Sequence, residues 1–131
     1  GIRSLRCDPV RVQESLFNIL DNAIAAVADV RSPSILVRTS QISEPFPGVV
    51  LEVVDSGVGV AESVASRVFD PFFSTKPVGE GTGLGLAIAK EVVEAHGGVI
   101  QFLSRQNAGT NVRILLPNDP DPESGSTGGG E

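Results

Sequence analysis

The sequence predicts a two-layer α/β (α+β) sandwich, with about three helices on one face of a mixed, mainly antiparallel sheet of about five strands. Three observations carry that expectation. Residues 9–28 and 84–96 repeat apolar side chains at helical spacing, and residues 62–68 suggest a shorter helix. Short apolar runs come in two pairs, 35–40 with 49–54 and 99–104 with 110–116, each pair joined by a turn sequence. Strand, helix, two strands, helix, loop, helix and two strands in that order pack most simply as a helical layer on one sheet.

Residues 2–6 give a faint strand signal. Asp8-Pro9 reads as an N-cap followed by proline at the first helical position, where its missing N–H costs nothing. Val12, Leu16, Ile19, Leu20, Ala23 and Val27 then form one buried stripe, and RSPS at 31–34 turns the chain. Ile35–Ser40 and Val49–Val54 read as strands around SEPFPG, the second nearly continuous in apolar residues, as in a strand covered on one face and partly on the other. Leu84–His96 is a helix closed by Gly97-Gly98. Val99–Ser104 and Thr110–Leu116 close a hairpin around RQNAG. The acidic Gly/Pro/Ser-rich tail, 118–131, holds almost no apolar residue and is expected to be disordered, which leaves 1–117 as the folded domain.

The chain has 131 residues, 40% hydrophobic and 20% charged, which suits one ordinary globular domain. A net charge of −6 argues against a general affinity for nucleic acid or an anionic membrane, since both need basic surface. No apolar run approaches the roughly 20 residues that span a bilayer. The lone Cys7 forms no internal disulfide and fits a reducing compartment, and the absence of methionine suggests a piece of a longer polypeptide.

Four patches suggest chemistry. On the first helix Glu14, Asn18 and Asn22 share a polar stripe roughly 150° from the centre of the apolar one. Amide oxygens suit Mg²⁺ and amide N–H groups suit phosphate, although a plain solvent face would look the same. DSGVGV at 55–60 ends a buried strand in an aspartate with glycines two and four residues later. Such a carboxylate needs donors, and an exocyclic amine is one, but an ordinary Asp/Gly turn is equally compatible. FDPFFSTKPVGEGTGLGL at 69–86 places Phe69, Phe72 and Phe73 before Lys76 and a glycine-rich run entering a helix. The aromatics would anchor the root of a lid whose glycines let it move, the helix start would favour an anion, and Lys76 could reach a terminal phosphate. AGTNVRILLP at 108–117 brings Gly109 and Thr110 to the entry of the last strand, as any hairpin turn might.

Taken in order, these motifs resemble the ATP-binding catalytic domain of sensor histidine kinases. That family shares the Bergerat nucleotide fold with DNA gyrase, mismatch-repair ATPases and heat-shock chaperone ATPases. ESLFNILDNAIAA resembles the N box, DSGVGV the G1 box, FDPFFSTK the F box and GTGLGL the G2 box, and AGTNVRILLP the closing glycine-threonine motif. The wording is most similar to the nitrogen- and oxygen-sensing kinases, and the resemblance runs from about Asp8 to Pro117.

The resemblance implies that Asn18 and Asn22 hold Mg²⁺ and the phosphates of ATP, that Asp55 binds the adenine amine, and that Gly57 and Gly59 shape the ring pocket. It implies a phosphate-facing backbone at Gly81, Thr82, Gly83, Leu84 and Gly85, with Thr110 supporting the adenine side. Asn18 and Lys76 are the residues it marks as catalytic. Where many relatives carry a lysine or arginine, this chain has Ala25, which shifts weight to Lys76, and Glu14 receives no assignment as a base. The only histidine, His96, reads as a helix-end residue favoured by the dipole and not as the phosphoacceptor. The acceptor histidine would belong to a dimerising domain of the same parent protein, with a response regulator receiver domain downstream, in the cytoplasm. A serine kinase of the anti-sigma type and a non-catalytic nucleotide-binding module are the alternatives.

Overall fold

The computed structural model describes residues 8–73 and 85–118. Helix α1 (Pro9–Ala26) opens as the sequence requires: the Asp8 carboxylate accepts the N–H groups of Val10 and Arg11 at 3.2 and 3.3 Å, and Pro9 takes the first turn. Its inward face buries Ile19 and Ala23 together with Ser15, whose hydroxyl bonds back to the Arg11 carbonyl at 3.0 Å. The chain then forms β1 (Ile35–Ile42) and β2 (Gly48–Asp55), α2 (Glu62–Ala65), α3 (Gly85–Ala95), β3 (Val99–Ser104) and β4 (Thr110–Pro117).

The four strands run in the order β1-β2-β4-β3, and every neighbouring pair is antiparallel. The fifth strand expected at 2–6 lies outside the described residues, as do Cys7 and nearly all of the tail. Helices α1 and α3 pack against each other and on one face of the sheet. Between them sits the core: Ile19 and Ala23 from α1, Leu86, Ala89 and Val93 from α3, and Val53, Ile100, Val112 and Ile114 from the strands. Burying each of the larger aliphatic side chains stabilises the fold by about 1.5–3 kcal/mol.

Helix α3 ends in a Schellman motif. Gly98 N–H donates to Val93 O at 2.9 Å and Gly97 N–H to Glu94 O at 3.0 Å, with Gly97 at φ 78°. His96 stands at this end, its Nδ1 2.8 Å from the Val92 carbonyl. Its Nε2 accepts the Asp8 N–H at 2.9 Å, so the ring joins the end of α3 to the start of α1. The sequence placed His96 at the helix end; the tie to α1 comes from tertiary packing. Helix α2 is shorter than expected, stopping at Ala65 and giving way to turns before Phe69.

Candidate nucleotide site

Between α1, the ends of β2 and β4, and α2 lies a cavity of about 420 Å³, within the roughly 300–1,000 Å³ of small-molecule sites. Six of the residues that the resemblance assigns to ATP or Mg²⁺ line it: Asn18, Asn22, Asp55, Gly59, Gly85 and Thr110. Asn18 and Asn22 stand one helical turn apart and half-buried on the side of α1 that meets the start of α3. A Cβ on Gly85 would lie 3.5 Å from the Asn18 side chain, so the opening of α3 is in contact range of the first amide.

Asp55 ends β2 opposite Thr110 in the register and is only 7% exposed. Gly57 N–H donates to its Oδ1 at 2.8 Å, and the Thr110 backbone N–H also bonds to the carboxylate. Burial nevertheless pushes this carboxyl above the usual range, because two backbone donors replace only part of its lost hydration. Among the described residues it has no ion-pair partner.

The glycines act in three different ways. Gly59, at φ 64°, lines the cavity, and a Cβ there would lie 2.0 Å from the Arg105 carbonyl oxygen. Gly109, at φ 83°, passes so close to β2 that a Cβ would meet the Asp55 carbonyl oxygen at 2.2 Å. Gly57 is not among the lining residues: a Cβ there would strike Ala26 at 2.6–2.8 Å, so its smallness seats the loop on the end of α1. It bears on the cavity through packing, not by facing a ring.

The aromatic cluster divides in the same way. Phe69 joins the core edge to face with Phe102, ring centroids 6.3 Å apart at 84°. Phe73 lines the cavity, with the Arg67 guanidinium 4.6 Å from its ring centroid. Phe72 corrects the expectation that all three anchor the loop root. It follows Pro71 in a turn closed by Phe73 N–H to Asp70 O, its φ is 67°, and it is 76% exposed, so the turn throws its ring outward. Lys76, Gly81, Thr82, Gly83 and Leu84 lie outside the described residues.

Several lining residues escaped the sequence reading, among them Val58, Val60, Val64, Val68 and Phe102, which supply an apolar wall. The alternation of Val58 and Val60 with Gly59 was the available signal for the first two. Half-buried amides, a buried acid without an ion-pair partner among the described residues and an apolar lining suit a ligand with a flat, amine-bearing ring and an anionic tail. Among the described residues no three His, Cys, Asp or Glu side chains gather as metal ligands, so a hard cation here would rely on the amides and on the ligand's own oxygens.

Residues 7–120 match the family model described as histidine kinase-, DNA gyrase B-, and HSP90-like ATPase. The chain belongs to this family. Within it, its relatives include sensor histidine kinases. The sensor histidine kinase ZraS of Escherichia coli K12 is 39% identical over 113 residues, which cover 86% of this chain and 23% of that protein. The methanogenesis regulatory histidine kinase FilI of Methanothrix harundinacea is 39% identical over 117 residues, covering 89% and 13%. Among solved structures, a mycobacterial sensor histidine kinase MprB superposes with a TM-score of 0.75 at 32% identity, over 89% of this chain and 78% of that one. Full-length ShkA in complex with AMPPNP gives 0.71 at 28% identity, over 85% and 22%. The chain thus has the sequence and fold of an ATP-binding histidine kinase catalytic domain, and it spans about a quarter or less of the curated relatives named here. No described helix is long and apolar enough to cross a membrane.

Proposed function

We propose that this domain binds Mg·ATP in the 420 Å³ cavity and presents the γ-phosphoryl group to a histidine on another domain of the same parent protein. The carrying observation is Asp55: a buried carboxylate with no cationic partner among the described residues, lining the same cavity as two asparagines one helical turn apart on α1. An exocyclic amine would donate to Asp55, and Val58, Val60 and Phe73 would cover the ring faces. Asn18 and Asn22 would hold Mg²⁺ and the phosphate oxygens, and the cation supplies neutralisation of the charge that develops on the transferring group. Phosphoryl transfer is mostly positioning and charge stabilisation, which amides, glycine backbone and one lysine can perform.

Lys76 would meet the terminal phosphate, and Gly81, Thr82, Gly83, Leu84 and Gly85 would offer backbone N–H groups along the phosphate chain. The acceptor histidine would sit on a dimerising domain, and a response regulator receiver would take the group from it in the cytoplasm. His96 fits an acceptor role poorly, because both of its ring nitrogens are engaged inside the fold. Calorimetric titration of the chain with ATP, with and without Mg²⁺, tests the reading. Saturable binding strengthened by Mg²⁺ and abolished by Asn22→Ala is expected; heat of dilution alone in both titrations would end it.

A further inference from the structure

Ser104, the last residue of β3, was not among the candidate site residues, yet its hydroxyl has three hydrogen-bond partners beside the cavity. Its Oγ accepts the Val60 N–H at 2.9 Å, lies 3.1 Å from the Gly109 carbonyl and 2.7 Å from Thr110 Oγ1. The register sets Asp55, Thr110 and Ser104 in one row across β2, β4 and β3. Asp55 and Thr110 line the cavity; Ser104 stands one strand behind them.

A serine hydroxyl has one proton and two lone pairs. If Ser104 gave its proton to Thr110, the Gly109 carbonyl would keep only the long Arg105 N–H contact of 3.4 Å. If Ser104 gives it to Gly109, every group is served: Val60 N–H and the Thr110 hydroxyl both donate to Ser104 Oγ. Buried polar groups settle into the arrangement that leaves none unmet. Thr110 has then spent its proton, and its free lone pair remains for the cavity.

We propose that Ser104 is a positioning residue that fixes the Thr110 hydroxyl as an acceptor, so that the Asp55–Thr110 pair admits a purine with an amine at the 6-position and rejects one with an oxo group. The proposal rests on the nucleotide reading above. An amine offers protons to both acceptors, whereas a carbonyl oxygen meets two groups with nothing to give. Removing Ser104 releases the Thr110 proton, which can then turn toward the cavity and serve an oxo group.

The test is competitive binding of ATP and inosine triphosphate to the chain, its Ser104→Ala and Ser104→Thr variants, and Thr110→Val. The original sequence should prefer ATP. Ser104→Ala should lower the ATP-to-ITP ratio about fivefold to tenfold, mostly by improving ITP relative to ATP, and Ser104→Thr, which keeps the hydroxyl, should restore it. Thr110→Val removes the acceptor by a second route and should lower the ratio too, so a poorly folding Ser104→Ala leaves the proposal testable. Equal loss of both nucleotides in Ser104→Ala and Thr110→Val, with the ratio intact, overturns the filter and leaves a merely structural hydroxyl. Failure of the original chain to bind either nucleotide overturns the filter and the nucleotide reading together.

Discussion

Two carboxylates on β2, Glu52 and Asp55, meet opposite fates. An odd spacing sends them to opposite faces of the sheet. Glu52 faces outward between Arg38 of β1 and Arg113 of β4, its partners in the register on both sides. Arg38 Nε bonds one of its oxygens, Arg113 Nε reaches the other at 3.0 Å, and Arg113 also donates to Gln101 at 3.1 Å. Its carboxyl is held below the usual range, first by the Arg38 hydrogen bond. Asp55 faces the cavity with two backbone N–H groups and, among the described residues, no cation, and burial holds it above the usual range. A carboxylate whose acceptor capacity is met within the fold stabilises the fold. One buried with capacity to spare costs stability and becomes an invitation to a ligand.

The largest test of that difference removes the support of the inner row. Gly109→Ala places a Cβ against the Asp55 carbonyl oxygen at 2.2 Å and puts alanine at φ 83°, so β2 and β4 must separate where Asp55 and Thr110 meet. A loss of about 3 kcal/mol in chemical denaturation is expected, with nucleotide binding lost as well. Gly97→Ala is the control. At φ 78° with its nearest contact the Pro117 Cγ at 3.6 Å, it should cost only the about 1–2 kcal/mol of the left-handed backbone and leave binding intact. Equal losses would mean that strain, not the contact with Asp55, sets the effect.

Asp55→Asn comes next and separates function from stability. Above its ordinary value, the folded chain holds this carboxyl's proton more tightly than the unfolded chain does. The contribution to stability therefore falls as pH rises through that window, and at neutral pH the ionised group is a cost. The amide keeps an oxygen for the Gly57 N–H and sheds that cost. Thermal stability should hold or rise, while ATP affinity falls about 10- to 100-fold, the range for a hydrogen bond to a charged group. A variant that unfolded more easily and bound ATP normally would reverse the assignment.

How far these features can be read from sequence follows from what each one depends on. The cap at Asp8-Pro9, the stripe through Ile19 and Ala23, and the Gly97-Gly98 stop are local, and α1 and α3 begin and end within two residues of expectation. Asn18, Asn22, Asp55 and Thr110 were visible because polar residues at the end of a strand or in mid-helix contradict their surroundings. Most of the apolar lining was not: Phe102 alternates as any core strand would, and only the approach of α2 decides whether it faces a neighbour or a void. Ser104 was hidden for the same reason, since its three partners come from the loop after β2, the turn before β4 and the first residue of β4. Phe72 misled because aromatic composition says nothing of the turn that exposes it.

The smallest effect belongs to Glu52. A carboxyl held below its ordinary value of 4.5 contributes stability that is complete above that value and is lost as pH falls through the folded one. Glu52→Gln keeps the side chain's length but ends the charged pairing with Arg38 and Arg113, which then lie side by side without a negative charge between them. Denaturation at neutral pH should show a loss of about 1 kcal/mol, and the difference between variant and original should shrink toward zero in acid, because protonation removes the same charge. ATP affinity should not change, since this row faces away from the cavity. If Glu52→Gln weakened ATP binding as much as Asp55→Asn, the two faces of β2 would be coupled through the strand, and the division of labour between them would have to be redrawn.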